Sequence, residues 1–462
     1  MDRSKLKVLI VGGSVAGLTL AHCLERAGIA YAVLEKHGVA PNLGASLGIM
    51  PNGARILDQL GIYTEMEALA APMHAVRFMY NDGYSFMDRS LSTLNPRFGY
   101  SFMFLERRQI LEVLYSTLKH QSAVLTHKEV VCIEQTTGHV RVTTKDGSTY
   151  HGDIVVGADG VHSTVRSEMG RVADHIPMER NQWSAQYSCV SGISSHVEGL
   201  TPGEVIWASH DHRSIVTFPA KDGGVFWFLI LKLEKRYQYP KIPRYSQEDA
   251  IKACQKHTHL SVTDRLTFND IWNQRKTFSM TALEEGTLQT WCAGRIVCIG
   301  DSVHKMNPEI GQGANMAIED AAALTNVLQG LLARLGGEKP STADLAVAMR
   351  TFNRHRLPRT TRLCVYGTLL SRLTNRDGIF NALLGRYIVP YSLGLSSYLT
   401  KHIITHADWL EYIDVPVRAG PDFARPGRER RVSPALIPLV TSTVVSLFFL
   451  WKLWALVGYA NW

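Results

Sequence analysis

The sequence predicts an α/β protein: a parallel sheet, interrupted by a second, mixed or antiparallel sheet and followed by a C-terminal transmembrane helix. Three observations carry this expectation. The β-rich run Leu6–Val11 leads through a glycine-rich turn into a helical stretch and a second buried strand, the βαβ opening of a parallel sheet. From about residue 180 to 285 short, turn-punctuated strand-like runs replace that pattern, and strand–turn–helix character then returns. Near its end the chain carries an uncharged stretch, Ala435–Trp451.

Composition bounds the function classes. The 462 residues suffice for two or three domains. With 45% hydrophobic and 19% charged residues, a mostly disordered or collagen-like chain is excluded. A net charge of +8 raises nucleic acid, a membrane surface or an anionic ligand as partners. Half of that excess falls after residue 415, chiefly on Arg418, Arg425, Arg428, Arg430 and Arg431. No basic run with interleaved aromatics precedes it, so nucleic-acid binding is not expected. The 7 cysteines are scattered without a CxxC pair, and no Asn-x-Ser/Thr sequon occurs. Both facts favour free thiols and a body facing the cytosol. No metal-ligand cluster stands out among the histidines.

The elements follow in order. Val15–Ala27 has helical spacing and stops at Gly28, Tyr31–Glu35 is a buried strand, and Pro51–Leu60 is helical. Glu106–Lys119 is an amphipathic helix with Ile110, Leu111, Leu114 and Leu118 on one face. Val130–Ile133 and Val140–Thr144 form a meander, and Asp153–Val156 is a further buried strand. In the second region Trp183–Val190, Ser214–Phe218 and Val225–Leu233 read as strands. Arg295–Ile299 returns to a parallel-type strand, followed by helices over Gln312–Leu332 and Thr342–Arg362. The stretch 435–460, broken by Lys452 near one end, is long enough as a helix to cross a hydrocarbon core of about 30 Å. The arginines before it place the body on the cytoplasmic side.

Three turns carry chemistry. Gly12-Gly13-Ser14-Val15-Ala16-Gly17 sits between strand and helix, where glycine permits the tight turn, a small residue admits a pyrophosphate, and glycine lets helix and strand pack closely. The helix N-terminus offers amides and dipole to the phosphates. Glu35 closes the next strand, placed to accept the hydrogens of an adenosine ribose diol and to disfavour a 2′-phosphate. Gly157-Ala158-Asp159-Gly160 and Gly300-Asp301-Ser302-Val303-His304 also follow strands, the latter running into Pro308, Gly311-Gln312-Gly313, Asn315 and Glu319-Asp320. Together they form one dinucleotide cradle only if the chain returns to the same sheet.

In order and spacing these motifs resemble the flavoprotein aromatic hydroxylases, single-component FAD monooxygenases typified by para-hydroxybenzoate hydroxylase, over Leu6–Arg362. The resemblance implies a Rossmann-type FAD-binding domain (1–75, 100–180 and 285–362) with an inserted substrate domain (76–99 and 181–284). A helical region with a basic linker, 363–434, and the anchor, 435–460, would follow. It implies that Gly12, Ser14 and Gly17 form the pyrophosphate turn and that Glu35 holds the AMP ribose. Arg107 would lie along FAD, Asp159 would touch FAD and NAD(P)H, and Asp301 would bind the ribityl hydroxyls. Pro308 through Gly313, with Ala314, would line the isoalloxazine, and Asn315 would cap the helix that follows. Where the family has Pro-Asn-x-Gly-Gln-Gly, this chain has Glu309 after the proline. That acid is either a solvent-facing loop residue or a shaper of the substrate side.

The Ile299–Met306 and Val11–Ala21 segments, with the apolar tail, resemble a fungal branch: membrane-associated FAD epoxidases of indole-diterpene and meroterpenoid biosynthesis. That resemblance implies a lipophilic prenylated substrate, O2 as oxidant, NAD(P)H as reductant, oxygen transfer from a flavin C4a-hydroperoxide to an alkene, and a membrane terpene cyclase downstream. It also implies an endoplasmic-reticulum anchor. An alkene needs no deprotonation, and no persuasive acid–base pair is visible. His304 and Tyr187 are the catalytic candidates, His304 with the alternative role of orienting its loop. Tyr187, Phe226, Trp227 and Phe228 are the candidates for substrate contact. The competing readings are an aromatic hydroxylase of a phenolic polyketide and a non-catalytic, membrane-tethered flavin-binding protein.

Overall fold

Four stretches of strand end abreast, and this sets the position of every turn singled out above. In the computed structural model, which describes residues 6–423 apart from 42–45, 137, 173–182 and 393, a six-stranded sheet runs in the order Cys292–Ala293, Ile296–Cys298, Ile154–Gly157, Lys7–Val11, Ala30–Leu34, Val124–Leu125. All pairs are parallel except the Cys292–Cys298 hairpin. Val11 pairs with Gly157 and with Leu34, and Gly157 pairs with Cys298. The chain therefore does return to one sheet, and the turns after Val11, Leu34, Gly157 and Cys298 emerge along one edge. Lys7–Val11 and Ile154–Gly157 are buried almost throughout. That explains their continuous rather than alternating apolar sequence. Helix Val15–Ala27 ends at Gly28, whose left-handed backbone (φ 69°) returns its N–H to the Glu25 and Leu24 carbonyls.

The second sheet has eight strands, in the order His304–Lys305, Arg275–Thr287, Ser184–Ser194, Val225–Gln238, Arg213–Pro219, Glu204–His210, Ala75–Tyr80, Ser85–Asp88. It is antiparallel apart from the parallel pairing of Glu204–His210 with Ala75–Tyr80. Its strands alternate. Ile206, Ala208, Ile215, Trp227 and Leu229 point into a core with Phe268, Ile271 and Trp272. Val205, Trp207, Val216, Phe218, Phe228 and Ile230 line a cavity on the other face. A small sheet of Ser46–Ile49, Phe102–Glu106 and Pro72–Met73 lies outside the sequence reading.

Helix Gly313–Arg334 matches the expected position, whereas the helix from Thr342 runs past Arg362 to Thr374. Its extension buries Leu363, Cys364, Gly367, Ser371 and Thr374, of which all but Leu363 are small or weakly apolar and give little hydrophobic signal.

The transmembrane expectation is corrected. Among the described residues no helix is long and apolar enough to cross a membrane. The two longest, Gly313–Arg334 and Thr342–Thr374, carry ion-pairing Glu319, Asp320, Arg356 and Arg359. The expected span, 435–460, lies outside the described residues. An uncharged run meets a length criterion without specifying a helix that spans, so the single-pass anchor and the endoplasmic-reticulum location derived from it are withdrawn. The chain divides into units 1–422 and 423–462, and of the second only Phe423 is described.

Trp227 is wholly buried, and its indole donates to Ser194 Oγ at 2.8 Å. Trp227→Ala is expected to lower stability by about 3–5 kcal/mol, seen as an earlier denaturant midpoint.

Candidate active site

A cavity of about 1220 Å³ lies between the edge of the first sheet and the apolar face of the second. Its polar end begins at the first glycine turn. Gly12 has φ 105° and packs against the Ala158 carbonyl, and a Cβ on Gly17 would stand 1.9 Å from the Gly12 oxygen. Neither position has room for a side chain. Ser14, the N-cap of Val15–Ala27, makes no side-chain cap bond, and the first turn holds no acid. The helix thus presents amides and positive dipole to an anion. Gly13 N donates to Glu35 Oε2 at 2.6 Å and His37 N donates to Oε1 at 2.8 Å, so the strand-end carboxylate is held at a fixed angle beside the turn.

Arg107 begins helix Arg107–Ser116 and donates to Ser14 Oγ at 2.9 Å. Burial pulls its pKa down, while Glu35 and Asp301 pull it up. The guanidinium therefore sits between the charges of two different turns. Asp301 pairs with Lys305, which it holds cationic against the cost of burial. Asp159 also lines the cavity, but its oxygens accept from Ser163 Oγ at 2.6 Å and Val165 N at 3.0 Å, and burial raises its pKa. Arg166 joins this turn to the next, donating to Val161 O at 2.8 Å and Ser302 O at 2.6 Å.

Pro308, Gly311, Gly313 and Ala314 form the wall on the other side. Asn315 stands behind it and fixes the turn: its amide donates to Gly311 O at 2.7 Å and Gly48 O at 3.0 Å, and its oxygen accepts from Met50 N at 3.0 Å. Of the expected cofactor residues, Gly12, Ser14, Glu35, Arg107, Asp159, Asp301, Pro308, Gly311, Gly313 and Ala314 thus line one cavity, and Gly17 and Asn315 support it from behind. The catalytic candidates do not line it. His304 is fully buried, with Nε2 against Asp320 Oδ2 at 2.6 Å. Tyr187 is buried and donates to Asp377 Oδ2 at 3.0 Å. Among the substrate-contact candidates only Phe228 lines the cavity: Trp227 alternates to the opposite face, and Phe226, though it also packs on Phe104, is not part of the lining. Glu309 is not solvent-facing: its carboxyl oxygens are buried.

Sequence reasoning also missed what anchors the turns. Arg356, from the long helix, has no exposure and donates to Asp320 Oδ1 and Glu319 Oε2 at 2.8 Å each, and pairs with Asp408. Burial opposes ionisation of Asp320, yet His304 and Arg356 hold it below the usual carboxylate range. Asp320 Oδ2 in turn accepts from Gly300 N at 2.9 Å. Glu319 accepts from Arg359 and Asn52, and Asn52 donates to Gln312 at 2.9 Å. The signal was Glu319-Asp320 in an otherwise apolar helix, but its partner lies some 36 residues on.

A family model described as "FAD binding domain" matches residues 5–359. The FAD-dependent monooxygenase atmM of Aspergillus flavus is 44% identical over 452 residues, spanning 96% of this chain and 94% of that protein. The FAD-dependent monooxygenase nodM of Hypoxylon pulicicidum is 44% identical over 92% of this chain and 93% of its own. The chain belongs to the FAD-dependent monooxygenase family. The same fold is shared with Klebsiella pneumoniae HpxO, crystallised with FAD and uric acid (TM-score 0.70, 21% identity, 86% of this chain and 96% of that one). This monooxygenase takes FAD as cofactor and NAD(P)H as co-substrate, and acts on a small molecule with O2. The side-chain-free cradle at Gly12 and Gly17 fits the group.

Gly17→Ala drives a methyl into the Gly12 carbonyl and is expected to weaken FAD retention at least tenfold, measured by flavin fluorescence on dilution. Arg356→Met leaves buried Asp320 without its guanidinium and Glu319 with Arg359 alone, and is expected to cost about 3–5 kcal/mol in denaturant unfolding.

Proposed function

We propose that this monooxygenase epoxidises an alkene in the prenyl chain of a lipophilic aromatic or polyketide intermediate of meroterpenoid or indole-diterpene biosynthesis, with a terpene cyclase consuming the epoxide. The observation that carries this reading is the apolar half of the cavity. Phe78, Phe86, Trp207, Phe218 and Phe228 line it together with Val205, Val216 and Ile230. Such a wall buries hydrocarbon, at about 25 cal/mol per Å² removed from water, and offers a phenol little to deprotonate it. Tyr80, the tyrosine on that sheet face, already donates to Gly385 O at 2.6 Å. At about 1220 Å³ the cavity exceeds the roughly 300–1,000 Å³ usual for one small ligand, which supports FAD and substrate side by side.

The polar end takes the dinucleotide in this reading. Amides at the start of Val15–Ala27, with Gly12, Ser14 and Gly17, meet the pyrophosphate. Glu35 accepts from the ribose hydroxyls, Arg107 and Asp159 lie along the cofactor, and Asp301 meets the ribityl chain. The Pro308–Ala314 turn faces the ring, where backbone amides stabilise developing negative charge. Residues 1–75, 100–180 and 285–362 serve FAD, and 76–99 with 181–284 serve the substrate. Bound FAD, reduced by NAD(P)H in the presence of O2, supplies the electrophilic oxygen. The residues around it position the alkene and exclude water. His304 orients the Gly300–Lys305 turn rather than exchanging protons with substrate.

Incubation with a farnesylated phenol, NADPH and O2 is expected to give a product with one added oxygen on the chain that opens to a diol in acid. Ring hydroxylation instead would establish the aromatic hydroxylase. If neither the farnesylated phenol nor simple phenols stimulate NADPH oxidation, both catalytic readings fail.

A further inference from the structure

We propose that Glu309 is a redox-linked acid: it keeps a proton on a carboxyl buried within the Pro308–Ala314 turn, and takes one up from solvent when flavin is reduced above neutral pH. The inference rests on the proposed placement of that turn beside the flavin ring.

The geometry comes first. Glu309 belongs to the cavity wall, yet both of its carboxyl oxygens are buried, and neither has a hydrogen-bond partner. Ser371 of the long helix and Asn375, its C-cap, are the neighbouring polar groups that favour the ionised carboxyl, but both are neutral and both have hydrogen bonds of their own. Ser371 Oγ donates to Gly367 O at 2.9 Å. Asn375 donates to Ser371 O at 2.8 Å and accepts from Ser214 Oγ at 3.0 Å. From strand Ser184–Ser194, Tyr187 and Cys189 feel the same carboxyl. Tyr187 gives its hydrogen to Asp377, and burial pushes the Cys189 thiol up, so it stays neutral. From strand Arg275–Thr287 comes Glu285, an acid already bonded to Arg236, Asn307 and Thr368. Among the described residues no cation pairs with Glu309. A carboxylate there would be buried, with only neutral donors and no cation to support it, and near a second carboxylate, which favours the neutral acid. Burial accordingly pushes its pKa up to about 7, against smaller opposing pulls from Ser371 and Asn375.

Two electrons and one proton convert FAD to its anionic reduced form. New negative charge beside the turn disfavours a second anion at Glu309. Where Glu309 is ionised in the oxidised enzyme, reduction therefore draws one further proton from solvent onto its carboxylate.

The test is the midpoint potential of the holoenzyme, wild type and Glu309→Gln, from about pH 6 to about 9, bracketing the value of about 7. A two-electron couple taking up one proton falls by about 30 mV per pH unit, and one taking up two falls by about 59 mV. The wild-type slope is expected to steepen above about pH 7 while the variant stays on the shallower line. A wild-type slope that never steepens overturns the proposal without any variant, and so does a steep segment that survives in Glu309→Gln. Thermal midpoints of the same proteins separate the causes. A folded-state pKa raised from about 4.5 to about 7 means that wild type loses stability as pH rises through this window, so the advantage of Glu309→Gln should grow across it and then level. If that growth appears but the potentials do not respond, the acid is buried and the flavin lies elsewhere, and both the proposal and the placement of the turn fail. If neither responds, the proposal alone fails.

Discussion

The geometry of the site depends on one buried guanidinium. Removing Arg356 and its carboxylate partners from water costs several kcal/mol per ion. Such a cluster persists only when nearly every lone pair is used, and here that requirement does structural work. Asp320 satisfies its second oxygen with the Gly300 amide and His304. Glu319 satisfies its own with Arg359 and Asn52, which reaches on to Gln312. The turn carrying Asp301 and the turn from Pro308 to Ala314 are thereby referred to the same charge centre. Buried ion pairs of this kind contribute more to a unique arrangement than to net stability, and two turns that must face one ligand need such an arrangement.

The two sheets divide the labour. Parallel strands ending abreast deliver backbone amides, a helix dipole and a few fixed charges to one edge. At that edge the signs alternate: Glu35, Arg107, Asp301, Lys305. An anionic dinucleotide therefore meets local donors rather than a broad basic field, which accords with the modest charge of the chain up to residue 415. In the second sheet the strands Arg213–Pro219 and Val225–Gln238 bring uncharged Val216, Phe218, Phe228 and Ile230 to the cavity, and only the edge strands bring charges, Asp88 and Lys305. Strand alternation alone separates that face from the core on the other side.

Much of the fold was legible because its signals are local. The Gly12–Gly17 turn, the Glu35 strand end and the Gly28 stop each follow from a few adjacent residues, and all appear in place. Four kinds of feature were not legible. Which of Phe226, Trp227 and Phe228 faces the cavity depends on register, and a one-residue shift exchanges the faces. The partner of Glu319-Asp320 is set by how two helices cross. The long helix continues past Arg362 to Thr374 on buried residues that are mostly small and give little hydrophobic signal. The membrane span was inferred from an uncharged run and the arginines before it, and no described helix supports it.

Asp320 and Glu309 show why burial by itself does not decide a charge state. Both carboxyls are buried, and both belong to segments that flank the same turn. Asp320 meets Arg356, His304 and the Gly300 amide, and its pKa is lowered despite desolvation. Glu309 meets only neutral donors and a neighbouring acid, and burial raises its pKa. The difference lies in the supply of donors, which comes from elements distant in sequence. A fixed anion suits a part that must hold its shape through a catalytic cycle, because its charge does not respond to its surroundings. An acid with no dedicated partner does respond, since the only counterion open to it is a proton. Placing the first behind the Gly300 turn and the second under the Pro308 turn gives one side of the cavity constant electrostatics and leaves the other able to follow the charge of what it binds.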